Sequence, residues 1–137
     1  MGTMPVELNH TIVAAHDPRA SAEFLSEILG LPAPTPYYHF MVVQAANGVS
    51  LDFLQADDEI TSQHYAFLIT EAEFDEIFAR VTERGITYWA DPAGRHENEI
   101  NHGDGGRGFY FEDPSGHWLE VLTRPYGSSV AAGSDGA

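Results

Sequence analysis

An internal repeat governs how this chain can fold. One order of elements, strand–helix–strand–strand–strand, is written twice within 137 residues. In the first copy Val6 to Ala15 reads as a strand, with Leu8, Ile12 and Val13 among small and polar residues. Asp17-Pro18 then places an N-cap before a proline at the first helical position. Ala22, Leu25, Ile28 and Leu29 follow at helical spacing until Gly30 stops the helix. Pro32, Pro34 and Pro36 make an extended link. Phe40 to Ala45 and Val49 to Leu54 predict a hairpin around Asn47-Gly48. Ala56 to Gln63 is an acidic, polar connector.

The second copy runs through the same elements. His64 to Thr70 predicts a strand, and Glu71 to Arg84 a helix with Phe74, Ile77, Phe78 and Val81 on one face and Gly85 at its end. Ile86 to Trp89 is a short strand, and Asp91 to Gly106 a long loop rich in Gly, Asn and His. Phe109 to Glu112 and His117 to Thr123 predict a hairpin across Asp113-Pro114-Ser115-Gly116. The expected fold is α+β, built of two βαβββ modules. One domain spans residues 6–124, with module one at 6–56 and module two at 64–124, and residues 125–137 form a flexible C-terminal tail.

Composition then removes whole classes of chemistry. Six basic residues, all Arg, face 21 Asp and Glu for a formal charge of −15, with no basic cluster. Phosphate backbones and anionic membrane surfaces are therefore not expected as partners. No apolar run approaches the roughly 18 residues of a membrane span, and Met1 to Glu7 lacks a signal-peptide pattern; the expected place is the cytoplasm. With no Cys, thiolate metal sites and cysteine nucleophiles are excluded. Any bound metal needs His and carboxylate ligands.

Laid over each other by residue type, the two copies bring chemistry-bearing residues into register. His10 matches His64, and Leu51-Asp52-Phe53 matches Leu119-Glu120-Val121. His10, His64 and Glu120 thus fall on three predicted strands, 54 and 56 residues apart. Two imidazoles and one carboxylate on one face of an ion leave adjacent positions open for a bidentate substrate. Taken singly, each histidine also reads as a hydrogen-bonded strand residue and Glu120 as a solvated one. The repeat equivalence favours the metal.

Three stretches carry a family resemblance: Leu8-Asn9-His10-Thr11-Ile12, Gln63-His64-Tyr65-Ala66-Phe67, and Gly108 through Glu120 with its Asp113-Pro114-Ser115-Gly116-His117 turn. Together with the repeat they cover about residues 6–124. The layout resembles the vicinal-oxygen-chelate superfamily of glyoxalases, bleomycin-resistance proteins, fosfomycin-resistance transferases and extradiol dioxygenases. The resemblance implies that the modules form a cupped mixed sheet around a central metal or ligand cavity, with one divalent metal ion held by His10, His64 and Glu120, a small-molecule substrate and a homodimer. Fe(II) is the favoured ion, with Ni(II), Zn(II) or Mn(II) as alternatives.

Further residues separate the member reactions. Ile100-Asn101-His102, then Phe109-Tyr110, then Asp113-Pro114-Ser115-Gly116 and Glu120 resemble the extradiol dioxygenase signature. This implies His102 and Tyr110 as catalytic groups toward metal-chelated oxygens, in keeping with oxyanion stabilisation and proton transfer by His. No His lies in 49–63 to match that family's other active-site histidine, and His39 is the candidate to stand in for it. In a glyoxalase-like lyase or isomerase, Asp52 would be a fourth ligand; a solvent-facing strand carboxylate is the equal alternative. The fosfomycin-type thiol transferase ranks lower, since it surrounds its phosphonate with Lys and Arg and this chain has no Lys. Arg107, set among Gly105, Gly106 and Gly108, reads either as a grip on a substrate carboxylate or as a local ion pair with Asp104 or Glu112. Asn101 shares the same loop as a pocket-rim residue. The expected function is metal-dependent, extradiol-type dioxygenation of a small oxygen-chelating molecule. A glyoxalase-like lyase and a non-catalytic, antibiotic-sequestering binder are the alternatives.

Overall fold

The computed structural model describes residues 6–129, which form two compact units, one up to Ile60 and one from Thr61 on. Each unit is a single α helix and an open four-stranded mixed sheet, and both use the same element order. The repeat read from the sequence is therefore a repeat of architecture.

In the first unit, β1 (His10–Ala15), α1 (Pro18–Leu29), β2 (Thr35–Tyr37), β3 (Phe40–Gln44) and β4 (Ser50–Gln55) form a sheet of order β1-β4-β3-β2. The pair β1–β4 is parallel; β4–β3 and β3–β2 are antiparallel. The Asp17 side chain accepts the Ala20 N–H at 3.1 Å to open α1, and Gly30 closes it in the left-handed region at φ 72. Alternation along the strands buries Val13, Ala15, Val43, Leu51 and Phe53, and Ala22, Leu25 and Ile28 of α1 are buried with them. The opposite face presents His10, Ile12, Val42, Ser50 and Asp52. Each large apolar side chain so buried contributes about 1.5–3 kcal/mol.

In the first unit two elements differ from the sequence reading by more than one residue. β1 starts at His10 rather than Val6, because its parallel partner β4 starts at Ser50 and the ladder pairs His10 with Ser50. Val6 and Leu8 stay exposed. The proline link contains a strand, β2, in which Pro36 lies opposite Met41. A proline is tolerated there because β2 is the sheet edge, where one side needs no donor.

In the second unit, β5 (His64–Leu68), α2 (Glu71–Glu83), β6 (Tyr88–Trp89), β7 (Gly108–Glu112) and β8 (Trp118–Leu122) give the order β5-β8-β7-β6. Thr70 and Glu73 cap α2 reciprocally: the Thr70 hydroxyl accepts the Glu73 N–H at 3.1 Å, and the Glu73 carboxylate accepts the Thr70 N–H at 2.8 Å. Phe74, Phe78, Tyr88 and Phe109 form a ring cluster with centroids 5.2–5.7 Å apart. The long loop is not slack. Asp91 accepts the N–H groups of Arg95 and His96, and Asn101 bridges to Gly108 in antiparallel fashion. Residues 125–129, expected as the start of the tail, are tied back through Asp104, while residues 130–137 lie outside the described residues.

Candidate functional site

Strand register turns the sequence repeat into matching sites. Ile12 lies beside Asp52 and Ala66 beside Glu120 in the two parallel ladders. Val42 and Tyr110 lie beside the same two carboxylates from the antiparallel side. His10 and His64 each sit two residues before that position, on the same face. Residue-type matching had therefore found the true structural equivalents.

In the second unit this face carries a hydrogen-bonded cluster. His64 Nε2 stands 2.9 Å from Glu120 Oε1. Glu120 is buried at 1% exposure, although it is a carboxylate and no Arg among the described residues reaches it. Instead the Tyr126 hydroxyl donates to both its oxygens, at 2.6 and 2.7 Å. The Tyr126 and Tyr110 hydroxyls are 3.2 Å apart. Burial pushes the Tyr126 phenol up first, and its hydrogen bond to Glu120 adds to this; burial also pushes Tyr110 up. Both hydroxyls keep their protons at neutral pH and act as donors. One hydroxyl carries one proton, and the Glu120 carboxylate takes that of Tyr126, so Tyr110 donates to Tyr126.

The Asp113-to-His117 turn positions this pair. Asp113 Oδ1 accepts the N–H groups of Ser115 and His117, at 2.9 and 2.8 Å, and Gly116 adopts φ 88. His117, 1% exposed, accepts the Gln63 N–H on Nδ1 at 3.0 Å. The Gln63 carbonyl in turn accepts the Trp118 N–H at 2.8 Å. The turn thus clamps the residue immediately before His64 to the strand that carries Glu120.

Beside His64 opens a cavity of about 360 Å³ lined by Gln63, Pro92, Gly94 and Trp118. The Trp118 ring stacks on Tyr110 at 6.1 Å and lies 4.9 Å from Trp89. Its Nε1 is buried with no hydrogen-bond partner among the described residues. In the first unit a cavity of about 520 Å³ is lined by His10, Tyr37, Phe40, Gln44, Ser50 and Asp52. There Asp52 Oδ1 accepts the Ser50 hydroxyl at 2.8 Å, and His10 Nδ1 lies 2.7 Å from Asn9 Oδ1. Asp52, one methylene shorter than Glu120, makes a local contact where Glu120 meets a histidine.

The donor set of the second unit fits a divalent ion. Two donor atoms at about 2.1 Å from one ion and at right angles to each other stand about 3.0 Å apart, and Nε2 of His64 and Oε1 of Glu120 are 2.9 Å apart. A neutral imidazole and a carboxylate are ligands for Fe, Mn, Ni or Zn. Among the described residues of either unit, no group of three His, Asp or Glu side chains comes together to hold a metal ion. His64 and Glu120 are thus two donors, and a third must be added to them.

The remaining sequence candidates fall in different places. Tyr110 joins the cluster. His102 is exposed, just before a single helical turn at Gly103–Gly105. Asn101 closes its own loop, donating to the Ala90 carbonyl at 2.8 Å and accepting the Gly103 N–H at 3.1 Å. His39 is exposed in the turn between β2 and β3. Arg107 is held by α2: it donates to Glu71 at 2.7 Å and Asp75 at 3.1 Å, with its guanidinium 4.1 Å from the Phe74 ring. Its ion-pair partners are these rather than Asp104 or Glu112. The reason is strand parity, because position 107 shares the helix side with Phe109 while Tyr110 points the other way. Tyr126 escaped the sequence reading because it follows the last strand. Its signal was available: it is the one aromatic residue after Trp118, between Pro125 and Gly127, in an otherwise small and polar stretch.

Comparison with known proteins bears on the family and the fold. The chain is similar to two solved structures, Oxidase ChaP-H2 and Oxidase ChaP-H1, at 62% and 60% identity, each with a TM-score of 0.89. The matches cover 93% and 90% of this chain and 100% of each of those chains. It is 29% identical to the glutathione transferase FosA of Serratia marcescens over 131 residues, 91% of this chain and 86% of that protein. The lactoylglutathione lyase of Agrobacterium tumefaciens shares the fold, with a TM-score of 0.66 at 19% identity over 88% of this chain and 96% of that one. Residues 7–121 match the family profile, and the chain belongs to the glyoxalase/bleomycin resistance protein/dioxygenase superfamily.

Proposed function

We propose that the protein is a divalent-metal-dependent oxidase of the dioxygenase type, acting on a small organic molecule that chelates through adjacent oxygens. The observation that carries this reading is the buried Glu120 carboxylate 2.9 Å from His64 Nε2, a ligand pair with no other evident task. The proposed ligands are His10, His64 and Glu120, with Asp52 as a further candidate and Fe(II) as the ion. When bound, the ion supplies a Lewis acid and a template for the substrate's two oxygens. The oxygen chemistry is supported by the 62% identity to a protein described as an oxidase.

The chain's own residues take defined roles. Tyr110 presents its hydroxyl on the His64–Glu120 face, where it would turn its proton from Tyr126 to an oxyanion of the substrate. His102, on the loop that leads into β7, is the proposed proton carrier. Tyr37 and Phe40 line one cavity and Trp118 the other, each offering aromatic surface to an organic substrate. Arg107 is already engaged by Glu71 and Asp75, which removes a cationic grip of the kind a phosphonate or carboxylate substrate would use. This favours oxidation over fosfomycin-type thiol transfer. A homodimer is part of this proposal and rests on the family, in which dimers are common.

The test is the metal content of protein purified without chelator or affinity tag. Stoichiometric Fe is expected, lost in Glu120→Ala and His64→Ala, with O₂ uptake on a catechol probe. Bound Ni, Zn or Mn with isomerase activity on a hemithioacetal would move the reading to a lyase. No stoichiometric metal in the unaltered protein would overturn it.

A further inference from the structure

Beyond β8 the chain turns back, and one side chain returns to the buried carboxylate. We propose that Tyr126 is a positioning residue for Glu120 and that Asp104 is the clasp that delivers it; this rests on reading Glu120 as a metal ligand. The Tyr126 residue is 70% exposed, so packing of its ring does not hold it in place. Its hydroxyl nonetheless lies 2.6 and 2.7 Å from the two oxygens of a side chain that is 1% exposed. An exposed ring with a fixed tip must be held through its backbone.

Asp104 holds that backbone. It sits in the left-handed region at φ 52 inside the single turn at Gly103–Gly105. One of its oxygens accepts the Gly127 N–H at 3.0 Å. The other accepts the Ser129 hydroxyl at 2.8 Å and the Ser129 N–H at 3.3 Å. These bonds flank Tyr126 on its C-terminal side and span 23 and 25 residues of sequence. The segment is a strap, pinned by Asp104 at one point and by Glu120 at the other.

The proton count shows what the strap does. Glu120 Oε1 faces His64 Nε2, and both oxygens face one Tyr126 proton. For His64 to become a ligand through Nε2, that nitrogen must carry no proton, and Oε1 then loses its histidine donor. Tyr126 remains as the donor that keeps the second oxygen satisfied and the carboxylate plane fixed. Tyr110, 3.2 Å away, completes the chain by donating to Tyr126. Without the Tyr126 hydroxyl, a buried carboxylate oxygen has no partner, and the ligand is free to rotate.

The experiment is anaerobic titration with Mn²⁺ of the unaltered protein, Tyr126→Phe, Asp104→Asn and Glu120→Ala, together with visible absorption of the Co²⁺-loaded forms. Tyr126→Phe is expected to bind Mn²⁺ about 10–100-fold more weakly and to shift the Co²⁺ bands, which report ligand geometry rather than fold. Asp104→Asn, which leaves both Tyr126 and Glu120 in place, is expected to weaken binding in the same direction and serves if the first variant does not fold. Equal affinity and an unchanged spectrum in Tyr126→Phe, with Glu120→Ala unable to bind, would overturn the role of Tyr126 and leave the metal site standing. Tighter binding in Tyr126→Phe would overturn it too, by making the tyrosine a competitor. No binding by the unaltered protein would remove both this inference and the metal reading.

Discussion

His117 shows how a motif residue can serve a site it does not touch as a ligand. Its ring is 1% exposed and accepts the Gln63 N–H at 3.0 Å, one residue before His64. Replacing it with Ala removes the partner of the Gln63 amide, which costs about 0.5–1.5 kcal/mol before any cavity is counted. Urea unfolding of His117→Ala is expected to show a lower midpoint with an unchanged slope. Because β5 then loses a tether at its entry, Mn²⁺ affinity is expected to fall as well. Unaltered affinity would show that His64 is positioned without the clamp. The Asp-Pro-Ser-Gly-His turn was plain in the sequence, but the direction of its histidine was not. Whether an imidazole in a turn points at an ion or at a neighbouring backbone amide depends on a strand 54 residues away.

Among the elements, the strap after β8 is held by a bond whose strength depends on pH. The Ser129 hydroxyl and then the Gly127 N–H, donating to Asp104, hold its carboxyl below the ordinary range. Its contribution to stability is therefore full above the unfolded value of about 3.9 and is lost as pH falls through the lower folded value. The thermal midpoint gap between the unaltered protein and Asp104→Asn is expected to narrow as pH drops from about 6 to about 2. A gap that stays constant would rule out the carboxylate as the clasp. Glu71, lowered by its hydrogen bonds to Thr123 and Arg107, weakens in the same direction. At this scale parity decided what residue types left open. Arg107 reads equally well as a substrate grip or an ion pair until β7 places it on the side of Phe109, against α2.

For the whole molecule, the charge of −15 acts as self-repulsion that salt relieves. Raising ionic strength from about 0.01 M to about 0.15 M shortens the screening length from about 30 to about 8 Å. The thermal midpoint is expected to rise over that range; a fall would mean that the few ion pairs, such as Arg107 with Glu71 and Asp75, outweigh the net charge. The repeat, the helix cap at Asp17, and the equivalence of His10 with His64 and of Asp52 with Glu120 were legible in the residues alone. These follow from short-range periodicity and local hydrogen bonding, which adjacent residues encode. Only the tertiary structure decided that Pro36 lies in an edge strand and that Arg107 belongs to α2. It alone decided that Tyr126 returns to cap a buried carboxylate. Those outcomes depend on which strands pair and which face each residue presents, and so on contacts between residues far apart in the chain.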